Sequence, residues 1–155
     1  MLASVDPGVR HSAVALWDNG ELRTAYLIDL GDKPRERAQG WRKMAQLVRE
    51  SLPTGDHELV LEIPQVYREA ANKGRNPNDL IDLAGVQGAI AGLCGPVVWS
   101  PLPRQWKGTA PKRVSEMRVD AKLSDAEKAR VRWPIASLKH NVIDAIHLGL
   151  VYLKR

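Results

Sequence analysis

Residues 1–30 read MLASVDPGVRHSAVALWDNGELRTAYLIDL, and this stretch decides the fold. A short apolar run stops at Asp6-Pro7-Gly8, a turn signal. Residues 11–17 resume with strand-forming residues, and Asp18-Asn19-Gly20 follows as a hairpin turn, because Asn-Gly tolerates the positive φ angles such turns require. Residues 21–30 complete a three-strand meander. Working outward, Pro34 opens a helix to about residue 52, with Trp41, Met44, Ala45, Leu47 and Val48 as its apolar stripe. Residues 59–63 form a fourth strand closed by Pro64, and residues 65–78, rich in Gly, Pro and Asn, read as an exposed loop. A helix from Asp79 to about Cys94 leads to a fifth strand over residues 96–99. Ser124-Asp-Ala-Glu127 is a capping box that starts a short basic helix, and residues 141–153 form a final, mostly apolar helix. Three strands, a helix and further strand–helix alternation predict an α/β fold with a mixed sheet and helices against its faces.

The 155 residues suit a single domain, 1–155, that can bury a core without metal or disulfide. Cys94 is the only cysteine, which excludes a disulfide framework and a thiolate metal cluster. No apolar run reaches the ~20 residues of a membrane span, and MLASVDPGVR lacks the pattern of a secretory signal, so a cytoplasmic location is expected. The formal net charge is +5, and residues 101–139 carry ten basic against four acidic side chains. That excess suits either a polyanionic partner such as nucleic acid or a solvated basic face.

Three acids interrupt apolar elements: Asp6 at the end of the first strand, Glu62 within Leu-Val-Leu-Glu-Ile, and Asp144 within Val-Ile-Asp-Ala-Ile-His-Leu. Taking an ionised carboxylate out of water costs several kcal/mol unless a cation or hydrogen bonds compensate. Each acid has a plainer reading: turn chemistry at Asp6, a solvent-facing strand position at Glu62, and a helix start begun by Asn141 for Asp144. All three coinciding favours one site. Converging carboxylates repel unless a divalent ion neutralises them, and oxygen ligation of this type suits magnesium or manganese.

The ordered set Asp6-Pro7-Gly8-Val9-Arg10, Glu62 followed by Tyr67, the small-residue helix Leu83-Ala-Gly-Val-Gln-Gly-Ala, Arg104-Gln-Trp-Lys107, Gly108-Thr-Ala-Pro-Lys112 and Asp144-Ala145 resembles RuvC-type Holliday junction resolvases of the ribonuclease H-like superfamily. The resemblance implies a five-stranded mixed sheet with helices on both faces, and a homodimeric, magnesium-dependent endonuclease that cuts four-way or otherwise branched DNA by paired nicks, with Mn²⁺ able to substitute. It implies two ions per site, bridged by Asp6 and completed by Glu62 and Asp144, acting by a two-metal mechanism. The family's fourth ligand lies three residues before its final Asp. Here that position is Asn141, so His140, four residues before Asp144 on the same helix face, is the expected metal-shell residue or proton relay. His147 is expected to be structural. Lys107 and Lys112 match positions that approach the scissile strand, while Arg104 contacts DNA or packs along a neighbouring element. Tyr67, Arg68, Lys73 and Arg75 form a loop able to stack on an unpaired base and bind phosphates, with a core aromatic as the alternative for Tyr67. The small-residue helix serves a dimer contact or packing on its own sheet. The short 107–112 segment is similar to bacteriophage versions. Another ribonuclease H-fold nuclease acting on RNA or hybrids, and a catalytically silent binding module, remain as alternatives. A phosphotransferase of the actin or sugar-kinase fold needs a second domain that 155 residues exclude.

Overall fold

The computed structural model describes residues 1–32, 34–65, 76–109 and 111–155, apart from the side chains of Pro77 and Lys112. Five strands form one mixed sheet: β1 (Leu2–Asp6), β2 (His11–Asp18), β3 (Glu21–Asp29), β4 (Glu58–Leu61) and β5 (Val97–Trp99), in the order β3-β2-β1-β4-β5. β1 pairs antiparallel with β2 and parallel with β4, and β5 extends the parallel half. The helices are α1 (Arg37–Ser51), α2 (Pro77–Leu93), α3 (Pro103–Trp106), α4 (Lys112–Lys122), α5 (Asp125–Lys128) and α6 (Lys139–Tyr152), with a 3₁₀ turn over Ala136–Leu138. None of the described helices is long and apolar enough to cross a membrane.

Alternation along β1 sorts its side chains between two cores. Ala3 and Val5 join Val14, Leu59 and Leu61 beneath α1 and α2. Leu2 joins Ala13, Ala15, Val60 and the apolar residues of α6 on the opposite face. α6 lies close to the sheet because Gly149 has no side chain: a Cβ there would fall 2.3 Å from Trp17 Nε1 and 2.6 Å from Ser4 Oγ. In the same layer Ser4 Oγ donates to the Ala145 carbonyl (2.8 Å) and accepts from Trp17 Nε1 (2.9 Å). These bonds satisfy three buried polar groups and fix the register of α6 against β1.

The structure differs from the sequence expectations at element ends and in one segment. The first helix begins at Arg37 rather than Pro34, and α2 begins at Pro77, capped by the Asn76 side chain, rather than at Asp79. Residues 103–122, which carry no apolar periodicity, fold as α3 and α4; only Ser115 and Val119 of α4 are deeply buried, too sparse a stripe to read. α6 begins at Lys139, two residues before Asn141, so Asp144 is its sixth residue and lies past the first turn, where a helix dipole would favour an acid. The capping box at Ser124 and Glu127 forms with both of its bonds.

Candidate functional site

The Asp6-Pro7-Gly8 turn is tight enough that a Cβ at Gly8 would lie 2.0 Å from the His11 carbonyl oxygen, so only glycine fits. The turn leaves Asp6 as the last residue of β1. Val5 is in register with Leu61 of β4, and the Glu62 amide donates to the Val5 carbonyl (3.4 Å), so Asp6 and Glu62 sit side by side where two parallel strands end. Val5 and Leu61 point toward α1 and α2; by alternation their successors face α6. Ser4, bonded to the residue after Asp144, sets that helix beside them.

The three acids meet at Lys107, which follows α3. Its Nζ donates to Asp144 Oδ2 at 2.9 Å and lies 3.8 Å from Glu62 Oε2, while Asp6 adds to the negative field around it. Burial alone would push the Lys107 ammonium toward losing its proton, but Glu62, Asp144 and Asp6 outweigh it and hold the pKa above the ordinary lysine value. Glu62 is raised, chiefly by burial and further by Asp144, against the opposing pull of Lys107 and Trp106. Lys107 is the cation that the described residues place against Glu62 and Asp144. Among the described residues, no three His, Cys, Asp or Glu side chains are set to hold an ion as they stand. The donor set nonetheless consists of hard oxygen ligands partly open to solvent, the chemistry that suits magnesium or manganese.

Trp106 is a site residue that sequence reasoning passed over. Its Nε1 donates to Glu62 Oε2 at 2.7 Å, and the Lys107 ammonium lies 4.7 Å from its ring centroid. His147 meets the indole edge-on at 5.1 Å. Burial, then Arg118, holds the His147 pKa below its ordinary value, so a neutral ring buttresses the indole. The available signal was chemical: a tryptophan in an otherwise polar motif has an N–H that demands a partner once its ring is buried.

The other expected residues separate. Arg104 is exposed on α3. His140 places Nδ1 3.1 Å from the Ser137 carbonyl, and among the described residues it forms no ion pair with Asp144. Tyr67, Arg68, Lys73 and Arg75 lie outside the described residues, as does the side chain of Lys112. A cavity of about 790 Å³ opens at the opposite end of the sheet, lined by Met1, Gly20, His57 and Gly95 among others, and contains none of the three acids. The carboxylates lie instead on an open surface at the carboxyl ends of parallel strands, where α/β sheets commonly bind ligands.

No protein-family model and no curated protein matches this sequence. Solved structures do match. Thermus thermophilus RuvC in complex with a Holliday junction substrate superposes with a TM-score of 0.63 at 20% identity, covering 97% of this chain and 90% of that one. The chain has the RuvC fold. A second T. thermophilus RuvC structure matches at 0.63 and 19% identity, covering 97% of this chain and 91% of that one. The yeast mitochondrial Holliday junction resolvase matches at 0.58 and 10% identity, covering 99% of this chain and 78% of that one. The RuvC likeness therefore spans nearly the whole chain.

Proposed function

We propose that the chain is a single nuclease domain that resolves four-way or branched DNA by paired nicks, using magnesium, with manganese able to replace it. The observation that carries this reading is the convergence of Asp6, Glu62 and Asp144, from three separate elements, on one buried-stem lysine in a RuvC fold. Asp6, Glu62 and Asp144 would hold the ions, which activate water and neutralise the scissile phosphate when bound. Lys107 is the counter-charge of Glu62 and Asp144 among the described residues; once the carboxylates have other cations, its ammonium is free to meet a phosphate oxygen within the same few ångströms. Trp106 keeps Glu62 in place from behind. His140, on the Asp144 face of α6, remains a candidate proton relay; Arg104, Lys112 and the Tyr67, Arg68, Lys73 and Arg75 loop are proposed DNA contacts.

The reading is tested by nicking of a synthetic four-way junction with and without Mg²⁺, beside linear duplex and RNA–DNA hybrid of the same sequence. Preferential Mg²⁺-dependent nicking of the junction is expected. Preference for the hybrid would make it a different ribonuclease H-fold nuclease, and junction binding without cleavage a silent module. Trp106→Phe, which keeps an aromatic side chain but loses the indole N–H, is expected to lower junction nicking by roughly 10–100-fold, the usual cost of losing a ligand's supporting hydrogen bond. Its urea midpoint should fall modestly, as a smaller ring in a buried site requires, and an unchanged nicking rate would deny Trp106 its positioning role.

Two identical sites suit two symmetric scissile strands, so a homodimer is part of the proposal. Its support is α2. Gly85 packs against Trp41, where a Cβ would come within 2.4 Å, but a Cβ at Gly88 or Gly92 would meet nothing within 4 Å among the described residues. Ile81 and Leu93 on α2 are exposed, as are Val97 and Val98 on the edge strand β5. Light scattering at micromolar protein should give about twice the 17.2 kDa chain mass. Monomers both with and without junction DNA would exclude the dimer.

A further inference from the structure

The segment between α5 and α6 presents two large apolar side chains to solvent, Trp133, 44% exposed, and Ile135, 70%, and Met117 of α4 is 60% exposed. Exposed apolar groups on a well-held backbone mark a contact surface more often than scattered ones do. Here the backbone is held at both ends. Val131 bridges Ala25 of β3, the Arg132 amide donates to the Ala25 carbonyl (2.8 Å), and the Leu138 amide donates to Ile135 (2.9 Å). Pro134 restricts Trp133 further to extended backbone. Lys139, the first residue of α6, puts its ammonium 5.0 Å from the Trp133 ring centroid and is itself tethered to Glu116 Oε1 at 2.6 Å.

Charge decides what fits this surface. Residues 112–139 carry eight basic and four acidic side chains, +4 of the chain's formal +5. Among the described residues, Arg113, Arg118 and Arg132 form no ion pair. A second copy of the chain would bring its own positive charge against this face. A nucleic acid strand supplies both complements at once, π-faces for the indole and phosphates for the cations. Lys139 lies five residues before Asp144, about 7.5 Å along the helix axis, or roughly two base steps of a strand.

We infer that Trp133, flanked by Ile135 and Lys139, is a stacking platform for an unpaired base of the DNA strand close to the cut, a recognition element separate from the residue 67–75 loop. The inference rests on the nuclease reading above and names where that reading's substrate is gripped. A platform fixed before binding does not have to be ordered by it, so the aromatic face contributes most of its contact energy.

The test compares junction affinity, in Ca²⁺ to suppress cleavage, for wild type, Trp133→Ala and Trp133→Phe, with the thermal midpoint of each. Trp133→Ala should weaken junction binding by roughly 5- to 150-fold, and Trp133→Phe should stay within a few-fold of wild type. In parallel, junctions bearing 5-iodouracil at successive positions from the cut should crosslink to the Trp133 peptide at one or two neighbouring positions. Wild-type affinity in Trp133→Ala, equal losses in both variants, or a change only in oligomeric state would overturn the platform. If Trp133→Ala lowers the thermal midpoint, the Phe variant and the crosslink decide, and absence of the crosslink counts against the proposal. Junction nicking by wild type reports on the nuclease reading separately, so the two can fail independently.

Discussion

Asp6→Asn is expected to bring junction nicking below detection while the junction stays bound. Asp6 ends β1 one residue beyond the Val5–Leu61 pair, so it stands beside Glu62 and faces the α6 layer that carries Asp144. On the proposed mechanism it is one of the three carboxylates that would hold the ions, and its replacement would remove a charged oxygen ligand from the site. The loss should therefore exceed the roughly 10–100-fold that follows removal of an outer hydrogen-bond partner such as the Trp106 N–H. Binding should survive because the substitution is nearly isosteric and lowers the negative charge facing the phosphates. The check is a pair of measurements on one preparation, nicking in Mg²⁺ and affinity in Ca²⁺. Wild-type nicking by this variant would refute the carboxylate assignment, whereas loss of both binding and nicking would point to a folding defect at the Asp6-Pro7-Gly8 turn, where backbone packs within 3 Å of a would-be Cβ.

Much of this site was legible because burying a charge is costly. An acid inside Leu-Val-Leu-Glu-Ile or Val-Ile-Asp-Ala-Ile-His-Leu stands out against its neighbours without any structure; Asp144 lies within the expected last helix, while Glu62 lies just past the end of β4 at Leu61 rather than inside a strand. The meander was legible for a similar reason: Asn19-Gly20 takes up the positive φ angles that its turn requires, 50° and 80°. What could not be read was anything set by a long-range partner. Lys107 was expected at a phosphate, and its pairing with Asp144, 37 residues away, depends on how α3 is placed against α6. The Trp106–Glu62 bond spans 44 residues and has no local pattern. α4 was hidden because its buried face rests on Ser115 and Val119, and a serine does not register as core in a periodicity count. The homologous-looking Asn141 drew attention to a helix start that in fact lies two residues earlier, at Lys139.

Glu127→Gln is expected to lower stability at neutral pH by about 3 kcal/mol, from a residue remote in sequence from all three acids. Glu127 is buried, and its two oxygens accept from the Leu22 amide (2.9 Å), the Ser124 amide (2.9 Å) and hydroxyl (3.0 Å), and Arg155 Nη1 (2.7 Å) and Nη2 (3.1 Å). One carboxylate thus ties the start of β3 and the cap of α5 to the residue three positions beyond α6. The Arg155 guanidinium is the largest cause, with the amides and hydroxyl adding to it, of a pKa held down at about 2 against an ordinary 4.5. Because the folded state resists protonation more than the unfolded one, the stabilisation is complete above about pH 4.5 and is lost as pH falls toward about 2. At 1.36 kcal/mol per pH unit that window is worth roughly 3 kcal/mol. Glutamine keeps the shape but cannot carry the charge, and it leaves Arg155 without its partner. Urea unfolding at pH 7, 4 and 3 should show a large midpoint difference at pH 7 that narrows at the two acidic values, as wild type loses what the variant never had. Parallel midpoints across the three pH values, or no difference at pH 7, would mean that hydration of Glu127 and Arg155 in the unfolded chain offsets the clamp.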